Sequence, residues 1–265
     1  MNTIDLSNLD RDRRFGGISR LYGPEALQRF QKAHVCIIGI GGVCSWAAEA
    51  VARSGIGQIT LIDLDHIHES NINRQIHSLD SEIGKAKVAA MAERIGGINP
   101  ECRVNAIEDF ITLDNIDQLI TKDLDFVIDA IDSVKVKAAL IAHCYRNRIS
   151  IVTTGGAGSK IDPTRINVSD LSRTEQDPLL AKVRKLLRQQ YDFPRERRRK
   201  FGIEAVSSDE PMMQTTRNQS CSTEPEEIGL TGLNCAGLGS SVCVTANFGL
   251  IAASRVLVSI ARKET

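Results

Sequence analysis

The sequence predicts an α/β fold built on a doubly wound, mostly parallel sheet. Three observations carry this. Short apolar runs alternate with helix-period stretches over the first 155 residues. A glycine-rich turn separates the first apolar run from the helix after it. The chain also closes on a long apolar segment suited to a sheet face. In order, residues 33–38 read as a buried strand, 45–54 as a helix, 58–63 as a strand and 85–95 as a helix. Strands follow at 103–107, 125–131 and 149–154, with a helix over 136–146 before the last.

Past residue 155 the pattern loosens. Residues 155–160 (GGAGSK) form a turn-rich stretch, 164–171 a possible strand and 177–190 a helix. Residues 207–239, rich in Ser, Glu, Pro and Gly, read as a long loop or lid, since loops of that length usually carry function or disorder. An apolar helix over about 240–260 ends the chain. The expectation is a single domain over 1–265, with a nucleotide-binding part to about 155 and a substrate-and-lid part from 156.

Composition is that of a globular protein: 265 residues, 42% apolar and 25% charged. No run of eighteen apolar residues stands ready to span a bilayer, and the polar N-terminus lacks the apolar core of a secretory signal. A cytoplasmic location and no membrane partner are expected. Lysine plus arginine balance aspartate plus glutamate at 33 each, so there is no global field. Locally, nine basic residues face two acidic ones between positions 182 and 200. The seven cysteines are an odd number without a CxxC pair, which argues against a disulfide framework or a zinc ribbon and for reduced thiols.

The most informative segment is GIGGVCS, residues 39–45, between a buried strand and a helix. Its Gly39, Gly41 and Gly42 let the backbone approach phosphate oxygens, and Ser45 lies at a helix N-terminus that favours anions. Asp63, twenty-four residues after Gly39 at the end of the second strand, is placed to accept ribose hydroxyls. To this point a nicotinamide dehydrogenase fits as well as an ATP enzyme. Asn71, Asn73, Arg74 and Gln75, with Lys87 on the next helix, add the cationic and polar groups that neutralise charge on an attacked triphosphate. Asp132, ending the fourth strand, is placed to hold Mg²⁺ or its water. The plainer alternative has Asp129 and Asp132 capping the next helix.

GIGGVCS, LIDLD, NINRQIH, GKAKV and IDAIDS resemble the ubiquitin-activating-enzyme-like adenylyltransferases. Within that superfamily RFGGISRLYG, VTTGGAG, QDPLL and NCAGLG resemble the tRNA threonylcarbamoyladenosine dehydratases, over nearly the whole chain. The resemblance implies a Rossmann-like fold and ATP binding by Gly39, Gly41, Gly42, Ser45, Asp63, Asp65, Asn71, Asn73, Arg74, Gln75, Lys87, Asp132 and Ser133. It implies Arg74, Lys87 and Asp132 as catalytic groups, Asp132 through Mg²⁺ with ATP. It further implies a homodimer in which Arg14 or Arg20 reaches the partner's phosphates. Cys44 departs from the glycine usual there and would put an oxidisable thiol near the phosphates. The paired CxxC motifs of many relatives are absent, so no zinc site is expected.

The implied substrate is a tRNA carrying threonylcarbamoyladenosine beside the anticodon. Its threonyl carboxylate attacks ATP, and the adenylate then cyclises with loss of water. Because that cyclisation is intramolecular, a protein nucleophile is not required. Cys235 is the candidate if one acts; the alternative is a small residue in a tight turn. Arg195, Arg197, Arg198, Arg199 and Lys200 would suit tRNA phosphates, with Lys182, Arg184, Lys185 and Arg188 extending the patch. His66, His68 and His77 read as surface residues. A second hypothesis keeps adenylation but makes the substrate the C-terminus of a ubiquitin-like sulfur carrier, and a sulfur-relay protein partner stays open. A third, a non-catalytic scaffold, has no need of a charged phosphate clamp.

Overall fold

A computed structural model describes residues 10–196, 198–211 and 239–262. Seven strands form one sheet in the order β3-β2-β1-β4-β5-β7-β6. These are β1 (His34–Ile38), β2 (Gln58–Ile62), β3 (Arg103–Ile107), β4 (Phe126–Asp129), β5 (Ser150–Thr154), β6 (Ile166–Asp170) and β7 (Glu204–Ser208). All neighbours are parallel except β6 and β7. The doubly wound, mostly parallel sheet is therefore the one the sequence predicts. Its central register sets Ile37 between Leu61 and Ile128.

Alternation along β1 assigns the two faces. Val35 and Ile37 enter one core with α1 (Arg11–Tyr22), α2 (Pro24–Lys32), α3 (Cys44–Arg53), α4 (Lys87–Ile98) and α8 (Val242–Arg262). Cys36 and Ile38 enter the other, with α5 (Ile116–Leu119), α6 (Val134–Asn147) and α7 (Pro178–Gln190). A strand buried on both sides must be apolar at every position, as HVCII nearly is. By length and composition α8 could cross a membrane. Ten of its residues are instead buried in the described fold, among them Phe248, Ala252 and Val256.

The sequence reading leaves α1, α2, α5 and β7 unassigned. In β7 only Ala205 and Val206 are apolar, and its order comes from pairing with both β5 and β6. The helix at 177–190 and the strand within 164–171 are present as α7 and β6. The expected lid at 207–239 lies mostly outside the described residues. From β1 the chain winds one way to β2 and β3, and from β4 the other way to β5. The loops leaving β1 and β4 thus diverge at their carboxyl ends, which is where such sheets hold ligands.

Candidate functional site

A cleft opens at that switch point. Its walls are Gly39, Gly41, Gly42 and Val43 after β1, Ala130, Ile131 and Asp132 after β4 and residues 154–158 after β5, with Ser240 just before α8 and Thr245 in its first turn. Gly39 turns the chain at φ 81°, which a side chain would strain, and its Cβ would stand 3.4 Å from the Ala130 carbonyl oxygen. Gly41 N–H donates to Gly39 O at 2.7 Å, tightening the turn as it enters α3. Ser45 N–H and Ala47 N–H donate back to Gly41 O at 3.1 Å and Val43 O at 3.2 Å, which locks the turn onto the positive end of the α3 dipole.

Arg74 is the cation on this wall. Its Nη1 donates to Ser70 O at 2.6 Å and Asn73 Oδ1 at 2.9 Å, both neutral acceptors, and its carbonyl accepts from the Trp46 indole at 2.9 Å. The loop is thus fixed while the guanidinium has no carboxylate partner among the described residues. Asn73 Nδ2 donates to Ser240 O at 3.0 Å, tying the loop to the approach of α8. Asp132 is half-buried on the opposite wall, and its carboxylate makes no hydrogen bond or ion pair among the described residues. The described residues contain no cluster of three or more His, Cys, Asp or Glu able to hold a metal ion.

Other expected site residues stand behind this surface. Asp63 is buried and accepts Asp65 N–H at 2.8 Å; burial raises its pKa, opposed by the charge of Lys87. Lys87 is also buried, its Nζ 2.7 Å from Asp65 Oδ2. Asn71 accepts His68 N–H at 3.1 Å, and buried Gln75 accepts from the Ser78 hydroxyl at 3.5 Å. Ser45 is fully buried, its Oγ accepting Ile76 N–H at 3.4 Å, and Ser133 is exposed at the start of α6. Gly39, Gly41, Gly42, Arg74 and Asp132 therefore line the cleft, while the remaining members brace the loops that shape it.

Two expectations are corrected. Cys44 is fully buried, and burial, with the charge of Asp129, pushes its thiol far above the ordinary range; it is a core residue and not an oxidisable neighbour of phosphates. His77 is 3% exposed, whereas His66 and His68 are at the surface. The sequence reading also missed a support under the β4 loop. Lys137 and Asp129, both fully buried, pair at 3.0 Å, and Lys137 Nζ donates to Ile131 O at 3.0 Å. Asp129 further accepts from Ile131 N–H at 2.9 Å and the Thr153 hydroxyl at 2.7 Å. Asp129 thus folds back into the sheet instead of capping α6. An apolar strand ending in Asp with Lys eight residues on was the available signal.

A carboxylate from α7 holds the second glycine wall. Gly156 N–H donates to Asp177 Oδ2 at 2.9 Å, while Asp177 Oδ1 caps α7 through Leu180 N–H at 2.9 Å. Of the basic run, Arg195, Arg198, Arg199 and Lys200 are exposed, and Arg197 lies outside the described residues. Arg188 and Arg184 do not extend it freely: Arg188 stacks over Phe201 at 5.1 Å, and Arg184 donates to the Thr174 hydroxyl. Because β7 starts at Glu204 parallel to β5, the run lies at the amino edge of the sheet, away from the cleft. Arg14 donates to Ile98 O at 2.8 Å, and Arg20 is exposed on α1. Cys235 lies outside the described residues.

Comparison with known proteins places this geometry. The chain is 51% identical to the tRNA threonylcarbamoyladenosine dehydratase of Haemophilus influenzae, over all of both chains. It is 50% identical to the Escherichia coli K12 dehydratase over 94% of each. The crystal structure of the E. coli enzyme, TcdA, in complex with ATP superposes with a TM-score of 0.84 at 49% identity, covering 94% of each chain. The ThiF family profile matches residues 9–265. With a switch-point cleft, a glycine turn and full-length relatives of half-identical sequence, the chain belongs to the ThiF family.

Proposed function

We propose that this protein is an ATP-dependent tRNA threonylcarbamoyladenosine dehydratase. The threonyl carboxylate of the modified base attacks the α-phosphorus of ATP and pyrophosphate leaves. A neighbouring atom of the same base then closes a ring on the acyl carbon, releasing AMP and giving cyclic threonylcarbamoyladenosine with net loss of water. One observation carries the reading: the glycine turn, Arg74 and Asp132 face a single cleft in a chain that matches the dehydratases from end to end.

In this reading the turn at Gly39, Gly41 and Gly42 and the start of α3 cradle the phosphates. Asp63 takes the ribose, with Asp65, Asn71, Asn73, Gln75, Ser45 and Ser133 shaping its surroundings. Arg74 exchanges two neutral acceptors for phosphate oxygens as charge builds on them, so its rotation sacrifices no ion pair. Lys87 holds a positive charge behind the same oxygens, steadied by Asp65. The lone carboxylate of Asp132 fits Mg²⁺, which usually takes one or two carboxylates and completes its shell with phosphates and water. That ion would neutralise charge on the departing pyrophosphate. No step is assigned to Cys235, because the attacking atom is already tethered to the acyl carbon.

The finer parts of the reading are tRNA contact by residues 195–200 and a homodimer to which α1 contributes Arg14 or Arg20. We also read the chain as one domain, since β6 and β7 continue the nucleotide-binding sheet. Adenylation of a sulfur-carrier protein, or a sulfur-relay partner, has less support, because the end-to-end matches are to dehydratases. The test is AMP release from ATP and Mg²⁺ with tRNA carrying threonylcarbamoyladenosine, against the same tRNA unmodified. AMP with the modified tRNA alone, and a nucleoside lighter by one water, is the expected result. Arg74→Ala should lower the rate at least about a hundredfold with the fold intact; stimulation by neither RNA would return the sulfur carrier to first place.

A further inference from the structure

The described part of α8 begins at the rim of the cleft, and Thr245 in its first turn is 3% exposed. Its Oγ1 has no hydrogen-bond partner among the described residues. A helical threonine commonly sends its hydroxyl to the carbonyl four residues back. Here Ser241 O receives the backbone N–H of Thr245 at 3.0 Å but not the hydroxyl. Buried hydroxyls are nearly always satisfied, so one left over on a cleft wall points to a ligand.

The surroundings say which kind. Thr245 lines the cleft with Gly41, Gly42 and Arg74. A Cβ built on Gly42 would lie 3.5 Å from Thr245 Cβ and 3.1 and 3.2 Å from Cγ and Cδ of Arg74. The glycine turn, the stem of Arg74 and the start of α8 thus meet at one point, where a guanidinium and a helix N-terminus favour an anion. We propose that the Thr245 hydroxyl donates to a phosphate oxygen of bound ATP, making α8 a third phosphate-binding element beside the glycine turn and the Arg74 loop. The stem of Arg74 and Thr245 Cβ meet at Gly42, and in this proposal the turn of Arg74 towards the phosphates opens the hydroxyl to them. The inference rests on the reading that this cleft takes ATP.

The test uses the full chain with Thr245→Val, which keeps the shape and removes the hydroxyl, and Thr245→Ser, which keeps the hydroxyl. ATP affinity is measured calorimetrically without tRNA, and thermal midpoints without nucleotide. Thr245→Val should weaken ATP about tenfold, as losing a hydrogen bond to a charged group does, and Thr245→Ser by less than about threefold. The nucleotide-free midpoint of Thr245→Val should equal or exceed that of the parent, because the variant removes an unpaired buried hydroxyl. Unchanged ATP affinity in Thr245→Val, or weakening accompanied by a lowered nucleotide-free midpoint, overturns the assignment and leaves the proposed reaction standing. A parent chain that binds no ATP overturns the nucleotide reading itself.

Discussion

At His77 the chain buries an imidazole with neither ring nitrogen hydrogen-bonded among the described residues. Burial first, then the positive charges of Lys87 and Arg94, push its pKa down to about 4. The folded value lies below the ordinary one near 6.5, so the unfolded chain binds more protons between them. The stability at stake is whole above pH 6.5, is lost as pH falls towards 4, and changes no further below that. Urea unfolding at pH 7 and pH 4.5 should differ by about 2–3 kcal/mol through this group, and His77→Phe should flatten that part of the profile. An unaltered slope in the variant would mean that other groups set the acid limb. Nothing in the local sequence announces this burial, because polar Asn73, Arg74 and Gln75 precede His77 and suggest a surface loop. The loop turns inward beside α4 (Lys87–Ile98), which carries both Lys87 and Arg94.

Among the elements, α8 shows how the site is held. Gly249 faces α3 so closely that an added Cβ would fall on the Val43 carbonyl oxygen and 3.0 Å from Ala47 N. That approach lets a 21-residue helix lie against the entry of the glycine turn, bringing Thr245 to the cleft. Gly249→Ala should cost about 1–3 kcal/mol in denaturant unfolding, the range for overpacking a close contact. It should also weaken ATP binding, since α3 must shift with the turn it carries. Full stability in the variant would show that the two helices separate freely. The elements around the switch point were legible because strands buried on both faces are mostly apolar, as HVCII, QITLI and FVID are. By contrast β7 was not, since its order comes from neighbours on both sides. Of the two N-terminal helices, α1 packs on α2 and α2 on α8; in α1 the glycines of RFGGISRLYG masked the period, and the nine residues of α2 carry only about two turns of pattern.

For the molecule as a whole, the cleft stands at the carboxyl edge of the sheet and the exposed basic run at the amino edge. The thirteen residues of α7 connect the two levels, a span of about 20 Å at the rise of an α-helix. This separation was invisible in the sequence, where nucleotide motifs and basic run are both plain but their relative position depends on the direction of β7. It constrains the substrate. A modified base in the cleft and a backbone on Arg195, Arg198, Arg199 and Lys200 require an RNA that extends well beyond the reacting nucleotide. Replacing Arg198, Arg199 and Lys200 by Ser should therefore weaken full-length tRNA while leaving ATP affinity unchanged. The plot of log affinity against log salt should become shallower by about 2–3, close to one for each phosphate no longer neutralised. A short RNA holding only the anticodon loop should bind parent and variant alike. Equal tRNA affinity and equal salt slopes in the two proteins would make the run a solvated face and place the RNA track elsewhere on the chain.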